Sequence, residues 1–176
     1  RLAASALGTE VAVGSVEISS LHELSLHDVA IYDKQAECIA SAAEARVHFR
    51  LLSVLENPAA AVDEVTLRGV TALLEQRADG TWNIEDIEAG RTGENAFRGE
   101  VAVEDARVTV RQGARSLTVD DVRGKADFAA FPAIRAELQA AQDGAQAAVT
   151  ATLDSDRQIV NVKARDVDLA SYLYLV

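Results

Sequence analysis

The sequence predicts a mainly β protein: a curved antiparallel β-sheet, shaped as a taco-like or U-shaped groove or a half-barrel, carrying two or three short amphipathic helices. Three observations predict it. Most of the 176 residues alternate apolar and polar with period two rather than 3.6, and turn signals punctuate the runs where hairpins need them. In several runs the apolar residues change parity partway along. One phrase also occurs twice: LSLHDVAIYD from Leu24 to Asp33 returns as LTVDDVRGKADF from Leu117 to Phe128, and each copy passes through an Asp-Val before resuming on the other parity. Repetition of this kind points to an architecture built by adding strands.

The elements follow in chain order. Leu2 to Leu7 reads as a short helix stopped by Gly8. Val11 and Val13 hand over to Val16 and Ile18 across Gly14, the first parity switch. The repeated phrase switches at Asp28-Val29 and again at Asp121-Val122; Val65 and Leu67 give way to Val70 and Ala72 beside Gly69; Val101 and Val103 give way to Val108 and Val110. A strand that switches parity either carries a bulge that restores its apolar residues to one face or passes between two packing environments. Bulges bend and twist sheets, so repeated switches favour a strongly curved one.

Leu51, Leu52, Val54 and Leu55 read as a second short helix ended by Asn57-Pro58, and Leu169, Tyr172, Leu173 and Val176 as a third, with Asp168 as its N-cap. Such helices plug the open ends or the apolar face of a curved sheet. Asp79-Gly80, Gln112-Gly113, Asp143-Gly144 and the stretch Asp154 to Gln158 each separate two alternating runs, and the simplest arrangement is an antiparallel meander. Ser116 to Phe128, Pro132 to Gln142 and Ala145 to Leu153 are its later strands. In the second of these, Ile134, Ala136, Leu138 and Ala140 share one face. The segment Ile87 to Ala96 holds two glycines and little apolar content, so a loop is expected at about 88–96. Residues 1–176 are read as one β-rich fragment of a longer protein, with an internal strand repeat at about 11–33 and 101–128.

Composition narrows the function classes. Apolar residues make up 49%, charged 26% and aromatic 5%, so the apolar surface comes mostly from Val, Leu, Ile and Ala. A net charge of −11 with the basic residues scattered along the chain repels nucleic acid and anionic headgroups, and no nucleic-acid partner is expected. The single cysteine, Cys38, allows no internal disulfide and reads as a small buried apolar residue. No apolar run of about 20 residues is present to span a bilayer.

No catalytic, cofactor-binding or metal-binding residue is assigned, and the chain is not read as an enzyme. His22 and His27 fall on opposite faces of an extended strand, and His48 stands alone. Asp120-Asp121, Glu85-Asp86 and Asp63-Glu64 are sequence neighbours that strand geometry points apart, whereas acid–base work needs convergent carboxyls. Asp154 and Asp156 lack the glycine and following glutamate of a calcium loop. No GxSxG, Walker, GxGxxG or CxxC pattern occurs. Trp82, directly after Asp79-Gly80, reads either as a ligand-stacking ring or as a ring folded over the sheet end to cover core side chains.

From Ala43 to Ile87, AEARVHFRLLSVL, VDEVTLRGVTALLEQR and the turn DGTWNIEDI follow one another, and FRGEVAVEDARVTV with LTVDDVRGKADF continues them. This order resembles the N-terminal periplasmic region of the AsmA-like / TamB (translocation and assembly module) family. The resemblance implies a long protein anchored in the inner membrane by an N-terminal helix, with a tall U-shaped β-sheet, apolar inside, crossing the periplasm. It further implies a role in phospholipid transport toward the outer membrane and in outer-membrane biogenesis. The family's membrane helix and the TamB C-terminal region are not within this chain.

Two functional readings follow. In the first, Leu24, Leu26, Val29 and Ile31, with Leu117, Val119, Val122 and Phe128, line a groove for phospholipid acyl chains, which ask only for apolar contact, about 0.8 kcal/mol per buried methylene. In the second, the sheet is a closed structural module that binds outer-membrane assembly proteins through exposed edge strands.

Overall fold

The computed structural model describes residues 2–4, 10–51, 61–86, 97–130, 133–142, 145–153 and 158–165. Strands take 75% of them, in a single, mostly antiparallel open sheet. The strands are β1 (Leu2–Ala4), β2 (Val11–Val13), β3 (Ser15–Ile18), β4 (Glu23–Tyr32), β5 (Cys38–Phe49), β6 (Val62–Gln76), β7 (Glu100–Gln112), β8 (Arg115–Asp127), β9 (Ile134–Gln142), β10 (Ala145–Leu153) and β11 (Gln158–Arg165). Their order across the sheet is β1-β2-β4-β5-β6-β7-β8-β9-β10-β11, and β3 continues β2 along β4 after a break at Gly14.

Three expectations need correction. The sheet is not a pure meander, because β6 and β7 run parallel from Glu64↔Glu100 to Gln76↔Gln112. A parallel pair needs a long crossover, and the chain between Gln76 and Glu100 is far longer than a hairpin loop. The short amphipathic helices are not shown. Leu2–Ala4, the start of the first, is a strand paired with Val11–Val13, so edge pairing overrides the helix propensity of Leu and Ala. Leu52 to Pro58 and Asp168 to Val176, which carry the other two, lie outside the described residues, as do Asp143-Gly144 and most of Asp154 to Gln158. Among the described residues, helical backbone occurs at Leu51 and Ala61, which border the segment expected as the second helix, and in a 3-10 turn at Asn83–Asp86. Cys38, third, is exposed. It opens β5 immediately after the turn at 34–36, and strand alternation turns the neighbouring Ile39 inward instead.

The parity switches are real and they line up. Apolar residues step by three rather than two at Val13/Val16, Leu26/Val29, Ala42/Ala45, Leu67/Val70, Val103/Ala106 and Val119/Val122. Asp28 at φ 53°, Gly69 at φ 58° and Asp121 at φ 51° supply the left-handed residue at three of these steps. Only glycine, and more rarely Asp or Asn, adopts that conformation readily. Along β4, β5 and β6 the extra residues sit opposite one another, so His27↔Glu44↔Arg68 and Val29↔Ala42↔Val70 keep a common register on either side. Between β7 and β8 the steps are staggered, and the register shifts once on each side of Ala106. Gly14 completes the line: its N–H donates to the carbonyl of His27 at 2.9 Å, and a Cβ there would lie 2.8 Å from that of Asp28.

Packing across the sheet is thin. The buried apolar residues are alanines (12, 42, 45, 61 and 106) and Ile39, and no large side chain is fully buried among the described residues. One end is capped by the DGTWN turn. Asn83, 5% exposed, donates its amide to the Leu73 carbonyl at 2.7 Å and accepts from the Glu75 N–H at 3.0 Å. It thereby replaces ladder bonds on the flank of β6 that lies beyond the last β5 partner, Ala40↔Ala72. Trp82 forms an isolated antiparallel bridge with Gln76 and is half-buried. Beside it the buried Asp33 carboxylate holds the Arg77 guanidinium at 3.2 Å.

Candidate functional site

Residues directly opposite each other in a ladder project to the same face, so the register sorts every side chain. One set of rows is apolar throughout. Ile18, Leu24, Val47, Val65, Val101, Ala126, Ala136 and Ala151 form one row; Val16, Leu26, Ala45, Leu67, Val103, Gly124, Leu138 and Val149 form the next. Beyond the line of three-residue steps come Val29, Ala42, Val70, Ala106 and Val122, and then Val11, Ile31, Ala40, Ala72, Val108 and Val119. Two-residue spacing would throw these last rows onto the opposite face; the extra residue at each step returns them to the first. Their Val and Leu side chains are mostly half-buried, and Ile18 at the β3 edge is 78% exposed.

Six of the eight predicted groove residues fall on these rows. Leu24, Leu26, Val29 and Ile31 lie on β4, and Leu117, Val119 and Val122 lie on β8, all half-buried. The two copies of the phrase run in opposite directions, because three antiparallel steps and one parallel step separate β4 from β8. Val29 therefore shares a row with Val122, and Ile31 with Val119, whereas Leu117 sits in the further row of Leu74 and Val110. Phe128 lies just past the end of β8, where its ring meets Phe97 at 5.6 Å between centroids and its N–H bonds the Gly99 carbonyl.

The alternate rows carry the charge, and there the ladder is ionic. Arg46 reaches Glu44 at 3.3 Å and Glu23 at 3.9 Å; Arg68 bridges Glu44 at 3.6 Å and Glu104; Arg107 pairs with Asp120, Arg111 with Glu75 at 3.3 Å and Lys125 with Glu100 at 3.1 Å. Desolvation raises the Glu44 carboxyl, but Arg46 and Arg68 outweigh it and leave the group below its ordinary value. The hydrogen bond from Arg68 likewise holds Glu104 low. This face is thus fixed as a solvated, charged surface, distinct from the apolar one.

Sequence reasoning missed one grouping. His22 and His48 lie with ring centroids 6.4 Å apart, and His48 Nδ1 is 2.6 Å from the Asp63 carboxylate, which raises the His48 pKa above its ordinary value. They meet because Glu23↔His48 begins the β4–β5 ladder, a pairing that local spacing does not reveal. Among the described residues no group of three or more His, Cys, Asp and Glu is placed to hold a metal ion, and no helix is long and apolar enough to cross a membrane.

Compared with known proteins, the chain matches no family model, no curated protein and no solved structure.

Proposed function

We propose that this chain is a periplasmic segment of an AsmA-like, TamB-type protein, whose bent sheet forms part of an apolar groove for phospholipid acyl chains moving between inner and outer membrane. The observation that supports this reading is the unbroken set of apolar rows from β3 to β10, kept to one face by an extra residue at each bend. A wall of Val, Leu, Ile and Ala offers acyl chains contact without a specific polar anchor, at about 0.8 kcal/mol per methylene, and lets them slide. In this reading a membrane helix outside the chain anchors the protein in the inner membrane. Lipid extraction and native mass spectrometry of the purified protein test it. Phospholipid should co-purify, and Leu67→Gln with Val103→Gln, both mid-row, should deplete it while circular dichroism stays unchanged. A folded protein that recovers no lipid overturns the reading.

A second reading rests on the edges. Among the described residues β11 pairs only with β10, and β1 only with β2, so each presents an open ladder side to which an outer-membrane assembly protein can add a strand. Partner capture that vanishes in Asn161→Pro, within β11, would favour it over the lipid reading; capture indifferent to that change would sink it.

A further inference from the structure

We infer that the slot where β8 parts from β9 is a binding site for a phosphate-bearing anion. The slot has a structural cause. β8 bends at Asp121, φ 51°, whereas β9 keeps its two-residue alternation and lacks a matching extra residue. Pairing between the two strands accordingly ends at Arg123↔Gln139, although β8 extends back to Arg115 and β9 on to Gln142. A cavity of about 490 Å³ opens there, within the size range of small-ligand sites. Among the described residues, the backbone groups that face it from the two strands have no ladder partner across the β8–β9 seam.

The lining chemistry is cationic. Arg123, Lys163 and Arg165 border the slot together with Gln139 and Gln146, and Asp121 is the one carboxylate among the described lining residues. Register explains the convergence. Arg123, Gln139, Ala148 and Lys163 lie in one row, and Ala141, Gln146 and Arg165 in the row two residues further on, so these side chains share the polar face. Arg46, Arg68, Arg77, Arg107, Arg111 and Lys125 are each held by a carboxylate. None of the slot's cations has an ion-pair partner among the described residues. Net positive charge around one cavity in a chain of net charge −11 is a local reversal of sign, and it favours an anion. Guanidinium forks match the tetrahedral oxygens of phosphate, the two Gln amides add donors, and the alanines at 140, 141, 147 and 148 leave room.

The site is separate from the acyl-chain reading, and its test uses a probe with no acyl chain. Inorganic phosphate is titrated into the full chain at constant ionic strength, followed by calorimetry and by amide shifts at residues 121–123 and 139–141. Saturable binding is expected. The triple variant Arg123→Gln, Lys163→Gln, Arg165→Gln should weaken it at least about tenfold, whereas Arg98→Gln, Arg115→Gln, Arg135→Gln, which removes the same charge elsewhere, should change it by less than about twofold. Vesicles of phosphatidylcholine doped with phosphatidic acid identify the source. If they also bind, in competition with phosphate, the anion is a lipid headgroup; if phosphate alone binds, it is a free solute. No saturable phosphate binding, vesicle binding without phosphate binding, or equal weakening in both triple variants would each overturn the inference.

Discussion

β4 to β8 and β9 to β11 are built from the same alternation, yet they solve the sheet differently. In the first region every strand takes a three-residue apolar step, at a common level from β4 to β7 and one row further along in β8, and the polar face is laced by Arg–carboxylate pairs. In the second, Ile134, Ala136, Leu138 and Ala140 and, beside them, Ala147, Val149 and Ala151 run on without a step, and on the polar face Lys163 and Arg165 have no ion-pair partner among the described residues. The difference teaches that a bend propagates through a sheet only while each neighbouring strand contributes its own extra residue. Where β9 withholds one, the ladder stops and a slot opens.

The largest way to break this comparison is at the seam. A Cβ on Gly124 would lie 2.1 Å from the Glu137 carbonyl oxygen, so Gly124→Ala forces β8 and β9 apart and should cost about 3 kcal/mol in urea denaturation. The loss of ladder protection should concentrate in β9 to β11 on hydrogen exchange. Next comes the cap: Asn83→Ala strands the Leu73 carbonyl and the Glu75 N–H in a buried setting, a loss of about 2 kcal/mol confined to the bent region. The bend itself is tested by paired substitutions. Asp28→Val and Asp121→Val place a β-branched residue in a left-handed conformation and should each cost at least about 1–2 kcal/mol, while Asp28→Gly and Asp121→Gly should be close to neutral. Equal costs for Gly and Val would mean that the carboxylates, rather than the backbone, hold the bend.

The smallest effect is a pH dependence. Asp63 raises the folded-state pKa of His48, so the pair's contribution is fully present below the unfolded histidine value of about 6.5 and is lost as pH rises through the higher folded value. His48 is exposed, so the change in stability is slight, but its NMR titration should move down in Asp63→Asn.

Much of this comparison is legible in the chain. The strands from Arg115 to Leu153 match their alternation almost to the residue, because exposed, single-faced strands write period two directly into sequence. Most bends are legible too, as parity switches near Gly or Asp, whereas the Ala42/Ala45 step of β5, with neither residue beside it, is not. What local pattern cannot carry is which strands meet. The parallel β6–β7 pair is fixed by a crossover, not by either strand's residues, and nothing in Leu2–Ala4 distinguishes a helix from a strand until Val11–Val13 lies alongside. The slot was hidden for the same reason: Arg123 and Lys163 converge only through two intervening strands.

The thin packing has a further consequence, for cooperativity. Among the described residues every substantial contact between elements joins ladder neighbours, apart from the 3-10 turn against β6, so the stability of this part is close to a sum of nearest-neighbour terms, as in a solenoid. The described strands share no central core whose loss unfolds them all at once. The sheet should fray inward from β1 and β11, with amide protection highest around β5 to β7, and a neighbour stacked on either outer strand would stiffen the whole array without touching its middle.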